Sequence, residues 1–147
     1  MQPGCRRVVV PFIATRESEQ VDLIAAVLKD EKDYIFIVDE CQRMQVGKGD
    51  LPYWFKRLLD EGRHRNSWVW AIARRPVTTP LLIRSLSEEV FSFRLHSKRD
   101  IEIMSDYFGD KAEDLRNLPK FHYFYYSDSN GYIAHYDAEG HCVELLD

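Results

Sequence analysis

Hydrophobic and polar positions alternate along this chain in two rhythms. Short β-rich runs are separated by stretches of helical period, which predicts an α/β architecture with a mainly parallel sheet. The first run, Arg7–Ile13, is β-branched and continuous, as for a strand buried on both faces, and Pro11 places its end or a sheet edge. A helix is predicted from about Glu17 to Lys29, because Val21, Ile24, Ala25 and Leu28 fall on one face. Tyr34–Val38 is the next strand and runs straight into Asp39-Glu40. After a polar loop, Asp50 is the expected N-cap of a second helix carrying Leu51, Phe55, Leu58 and Leu59, and Gly62 is its expected stop.

Trp68–Ala73 is a third strand, and Thr79-Pro80 opens a short helix through Leu86. Val90–Leu95 is a fourth strand. Ser97 and Asp100 resemble a capping box ahead of a helix bearing Ile101, Met104 and Phe108 and ending at Gly109. A short helical piece follows and stops at Pro119. The remainder reads as a β-meander: an aromatic strand from Phe121 to Tyr126, a hairpin at Asn130-Gly131, a return over Tyr132–Tyr136, a turn at Asp137–Gly140 and a last strand to Leu145.

The 147 residues, 45% hydrophobic and 13% aromatic, are read as one domain with one core. Within it, 6–120 form the α/β part and 121–147 the strand-and-hairpin tail. The net charge of −4 excludes a generally basic nucleic-acid binder, so any contact with nucleic acid must come from a local patch. Cys5, Cys41 and Cys142 are scattered and odd in number, which excludes a disulfide framework and fits a cytoplasmic protein. No apolar run spans a bilayer. His96, His122, His135 and His141 show no ligand spacing and are read as structural or surface residues.

Four apolar strand residues followed by Asp39-Glu40 form a Walker B pattern. The chemistry of phosphoryl transfer needs one carboxylate to steady magnesium through its water shell, here Asp39, and a second to orient and deprotonate the attacking water, here Glu40. Three further segments lie in order behind it. Asp39-Glu40-Cys41-Gln42-Arg43 resembles the DEAHR or DEAQR continuation of the HerA/FtsK-type P-loop ATPases. Gly62-Arg63-His64-Arg65 resembles their GRH element, Ala71–Pro76 the strand ending in TQRP or SQRP, and Phe93–Asp100 the FRL…PRD segment. The resemblance covers about Arg6 to Asp128 and extends to Zot-like relatives.

The resemblance implies a RecA-like fold, Mg-ATP as cofactor, and a phage- or plasmid-type motor that translocates or packages DNA. It implies a homo-oligomer or a P-loop-bearing partner. Arg63 or Arg65 would be the arginine reaching a neighbouring subunit's nucleotide. Arg74 and Arg75 fall in the sensor region, and Arg74 stands where the family has Gln. Arginine cannot accept a hydrogen bond and cannot position water as an amide does.

No G-x-x-x-x-G-K-[ST] sequence occurs, and Gly47-Lys48-Gly49 has the wrong spacing for one. Only Met1–Cys5 precede the first strand, where the family carries its P-loop strand. The chain is therefore expected to be the distal part of such a core, from a shortened gene, an excised domain or a degenerate paralogue. Alone it is expected to be inactive and to bind Mg-ATP weakly or not at all. A non-hydrolytic binding or oligomerisation module is the alternative. The family's P-loop strand lies between those resembling Trp68–Ala73 and Val90–Leu95, so these two strands are expected to pair directly or to receive a partner's strand.

Overall fold

A computed structural model describes residues 17–47 and 49–146, with only the backbone of Arg63. The expected strand at Arg7–Ile13 and Cys5 lie outside the described residues, as does Lys48. Elements follow in the order α1 (Glu17–Leu28), β1 (Ile35–Val38), α2 (Tyr53–Glu61), β2 (Trp68–Ala71), α3 (Leu81–Ser85), β3 (Glu89–Phe93), α4 (Lys98–Phe108), β4 (Tyr123–Ser127), β5 (Tyr132–Tyr136) and β6 (Cys142–Leu146), with 3-10 turns between. Two compact units result. Among the described residues, one holds Glu17–Val38 and those of 43–70; the other holds Asp39–Gln42 and those of 71–146.

In the first unit β1 and β2 form a parallel pair. Their starts are tied by two left-handed residues, Asp33 (φ 57°) and Asn66 (φ 53°). The Asn66 side-chain amide donates to Asp33 Oδ1 at 2.8 Å, and Trp68 N–H donates to Tyr34 O at 3.0 Å. Asn and Asp tolerate this conformation better than other side chains. Val21 and Ala25 are buried from α1, and Phe55 and Leu58 from α2, where Phe36 meets Phe55 edge-on. The opposite face of the pair is open: Ile35, Ile37, Trp68 and Trp70 are each at least half exposed. The buried strand expected ahead of Asp39 is thus covered on one side.

Local signals for α2 are overruled by a distant residue. Asp50 does not cap it; its Oδ1 accepts from the neighbouring Leu51 N–H. Pro52 is the N-cap position and has no side-chain acceptor to offer. Asp22 of α1 supplies one instead, accepting from Trp54 N–H at 2.6 Å and Phe55 N–H at 3.0 Å. These are two of the donors that a helix start leaves unsatisfied. The α-helix does end at Gly62, its C-cap, but without the left-handed turn of a C′ glycine. Gly62 stays right-handed (φ −58°) and opens a 3-10 turn over Gly62–Arg65, which Asn66 ends.

The second unit packs α4 and the 3-10 stretch Gly109–Asn117 on one face of a four-stranded antiparallel sheet, β3-β4-β5-β6. Ile101, Met104, Phe108, Leu115, Phe124 and Leu146 form its core. The meander expected from the tail is present, with Gly131 at φ 63° in the β4–β5 turn. β3 differs from expectation. It pairs antiparallel with β4, Phe91 opposite Tyr125, and does not pair with β2. The aromatic run of β4 provides a partner for every β3 backbone group on that side, so β3 joins the tail rather than extending a parallel sheet. Among the described residues the expected mainly parallel sheet is therefore two separate sheets, the parallel β1–β2 pair and the antiparallel β3-β4-β5-β6 sheet.

Candidate functional site

The ladder between β1 and β2 continues past the strand ends: Cys41 N–H donates to Ile72 O at 2.9 Å. That step places Asp39-Glu40 at the carboxyl end of β1, where open α/β sheets bind ligands. Asp39 is exposed, and its Oδ1 accepts from Glu40 N–H at 2.8 Å. Glu40 takes φ 50°, a conformation that a non-glycine residue adopts at an energetic cost and that is often found at functional sites. Its side chain is largely covered and forms an ion pair with Arg74, whose own side chain is 76% exposed. The structure thus joins two candidates that the sequence separates, an acid after β1 and an arginine after β2.

The other candidates have local partners. Arg65 Nη2 donates to Glu61 Oε2 at 3.1 Å, and Glu61 also holds Arg57. Arg63 lies in the same turn. Arg75 does not stand free as a sensor. Its Nε donates to Asp100 Oδ2 at 3.0 Å and its Nη2 to Ser97 Oγ at 3.1 Å, while Asp100 Oδ1 accepts from Val77 N–H. This pairing explains why the expected capping box does not form. Asp100 is nearly fully buried and spends both oxygens on the Arg75-Pro76-Val77 segment, and Ser97 makes no cap bond. Arg43, the last residue of the Asp39–Arg43 motif, donates to buried Glu17 at 2.9 Å.

Two neighbours of Glu40 refine the picture. Cys41 is fully buried, and burial pushes its thiol up to about 11, so it is no nucleophile at neutral pH. Gln42 Oε1 is buried with no hydrogen-bond partner. An orphaned buried acceptor is uncommon and needs an explanation, and nothing in the local sequence signals it.

The α/β fold has solved counterparts at low sequence identity. They include the genome packaging NTPase B204 of Sulfolobus turreted icosahedral virus 2. In complex with AMPPCP that protein matches at a TM-score of 0.67 and 15% identity, over 82% of this chain and 60% of its own. In complex with ATP-gammaS it matches at 0.66 and 16%, over 81% and 59%. B204, the DNA-packaging ATPase from Sulfolobus turreted icosahedral virus, matches at 0.64 and 14%, over 81% and 59%. The chain therefore spans about 60% of the length of these proteins. No protein-family profile and no curated protein sequence matches it. Among the described residues no helix is long and apolar enough to cross a membrane.

Proposed function

We propose that this chain is the Walker B-to-sensor portion of a HerA/FtsK-like, ATP-driven motor that translocates or packages DNA, when completed by a P-loop that these 147 residues do not contain. One observation carries the reading: Asp39 and Glu40 sit at the carboxyl end of a parallel strand pair, in a fold shared with a packaging NTPase. The residues fit magnesium nucleotide in their donor set. Asp39 is exposed and would hold magnesium through its water shell. Glu40 would take the proton of the attacking water. Gln42 Oε1 needs a donor, which a completing segment or an ordered water would provide. When bound, Mg-ATP supplies the γ-phosphoryl group that the water attacks.

Before acting as a base, Glu40 must exchange Arg74 for that water. Arg74 is exposed enough to swing onto a phosphate oxygen, where a guanidinium is a good partner. Arg63 or Arg65 would serve a neighbouring subunit's nucleotide in a homo-oligomer, Arg65 leaving Glu61 to do so. Such a motor works in the cytoplasm, where DNA and ATP meet. The Arg74–Glu40 pair also favours a second reading. With the base engaged and the polar sensor replaced, the chain acts as a non-hydrolytic subunit or regulator of such a motor.

Nucleotide titration of these 147 residues alone, and ATP turnover once they are completed by a P-loop segment, test both readings. The isolated chain should show no saturable Mg-ATP binding at micromolar nucleotide. In the completed assembly Asp39→Asn and Glu40→Gln should abolish turnover, and Glu40→Gln should retain bound ATP. Wild-type turnover in Glu40→Gln rejects the motor assignment. Absence of turnover in the wild-type assembly, with oligomerisation intact, selects the regulator.

A further inference from the structure

The four-stranded sheet of the second unit has two apolar faces, and α4 packs on one of them through Phe124 and Leu146. Strand register defines the other. Phe91 and Phe93 of β3 lie opposite Tyr125 and Tyr123 of β4, which in turn lie opposite Ala134 and Tyr136 of β5. Residues opposite one another share a face, and Phe124, between the two tyrosines, points the other way. Leu145, opposite Ala134, carries the face on to β6. Phe91, Phe93 and Leu145 are each more than half exposed. The rings tile this surface: Tyr123 stacks on Tyr136 at 5.2 Å, and Phe91 lies 4.8 Å from Tyr125. Ala134, among them, is fully buried.

Charge lies at the two ends of the face. Glu89 is exposed on it at the start of β3. At the other end Arg94 follows Phe93 and Lys120 precedes Tyr123, and both are exposed. Four strand residues, about 13 Å, separate Glu89 from Phe93.

We propose that this face is the contact between two copies of the chain, stacked face to face with their β3 strands antiparallel. Charge complementarity selects both the occupant and the direction. A two-fold axis in the plane of the sheets and across the strands sets each Glu89 over Arg94 and Lys120 of the other copy. A parallel stack sets acid over acid. The contact is isologous, so one patch serves both copies. Its area is sufficient. An aromatic side chain offers about 150–250 Å², so the exposed parts of the rings and of Leu145 amount to roughly 500 Å² per copy. Specific interfaces begin at about 1,000 Å² over both partners, which places this dimer in the micromolar range. Stacked sheets lie about 10 Å apart, a spacing that interdigitated rings fill. Rings already held by their neighbours lose little freedom on docking. A single-stranded nucleic acid also stacks on aromatic rings, but it requires a basic groove along its path, and here it would meet Glu89. The contact does not depend on the nucleotide reading above.

Sedimentation equilibrium of these 147 residues from micromolar to millimolar concentration, at low salt, tests the assignment. We expect a monomer–dimer equilibrium with a dissociation constant of about 10–100 μM. Phe91→Ser and, on the far strand, Leu145→Ser should each weaken it by about thirtyfold. Both positions are exposed, and wild-type circular dichroism checks that the fold is kept. Glu89→Lys and Lys120→Glu should each weaken the dimer by about tenfold, and the double variant should restore most of the loss. A monomer at every concentration, a dimer that Phe91→Ser and Leu145→Ser leave unchanged, or charge reversals that have no effect or are not rescued by the double variant would overturn the proposal. Binding of a fluorescent oligothymidine that Phe91→Ser abolishes would also overturn it and give the face to single-stranded nucleic acid.

Discussion

Arg75 and Asp100 hold the second unit together asymmetrically, and the asymmetry predicts an order of stabilities. The Asp100 side chain is 4% exposed and that of Arg75 is 52% exposed. Arg75→Ala leaves a buried carboxylate whose remaining donor here is the Val77 N–H. Breaking a fully buried pair on one side costs about 3–5 kcal/mol. Water can follow the half-exposed guanidinium inward, so about 2–3 kcal/mol is expected here. Asp100→Asn removes the charge instead. Its amide oxygen still accepts from Val77, and Arg75 turns to solvent, leaving a loss of about 1.5 kcal/mol for the charge-assisted bond. The double variant should then be more stable than Arg75→Ala alone by about 1 kcal/mol, because the stranded charge is gone. Urea unfolding at one pH, followed by circular dichroism and tryptophan fluorescence, measures all four corners of the cycle. Strictly additive penalties, or Arg75→Ala costing less than Asp100→Asn, would refute the argument and reduce the pair to an ordinary surface bridge.

Asp22→Ala should destabilise the chain by about 1–2 kcal/mol in urea unfolding, since it removes the acceptor for two N–H groups at the start of α2. Asp50→Ala should change stability by less than about 0.5 kcal/mol. Native Cys41 should resist alkylation at pH 8 while exposed Cys142 reacts, as read by peptide mass spectrometry. Because the Cys41 pKa rises from 9.0 to about 11 in the fold, the folded state keeps a proton there that the unfolded chain loses. The corresponding stability is present below pH 9 and is lost as pH climbs towards 11, a slope that Cys41→Ala should remove. Gln42→Met should leave stability unchanged or raise it by up to about 1 kcal/mol, because it removes a buried acceptor without a donor; a drop beyond 1 kcal/mol would mean that the amide is satisfied.

The parts of the fold legible in the sequence are those set by near neighbours. The apolar spacing of Val21 and Ala25 marks the buried face of α1, and Asn130-Gly131 marks the β4–β5 turn. Parts decided by distant partners are not legible. Asp50 is the better local cap, yet Asp22 caps α2 because α1 packs against it. Gly62 has the right residue type for a helix stop, but Asn66 takes the left-handed position where the chain must turn into β2. The composition of β3 suits either sheet direction, and pairing with β4 settles it. At the site, the position of Asp39-Glu40 follows from the apolar run before it. The contact of Glu40 with Arg74, and that of Arg75 with Asp100, depend on which chain ends the fold brings together. The open aromatic face of the second unit carries no spacing signal, because register across four strands rather than a single element assembles it.

The central claim is that the acidic pair after β1 faces a magnesium-bound triphosphate gripped elsewhere. Mn²⁺·ATP added at millimolar concentration to the isotope-labelled chain, with free Mn²⁺ as control, tests it through paramagnetic broadening of backbone amide signals. The account predicts weak, non-saturating broadening centred on Asp39–Gln42 and Ile72–Arg74, absent in Asp39→Asn. Broadening centred on any other part of the chain, or unchanged by Asp39→Asn, would contradict it.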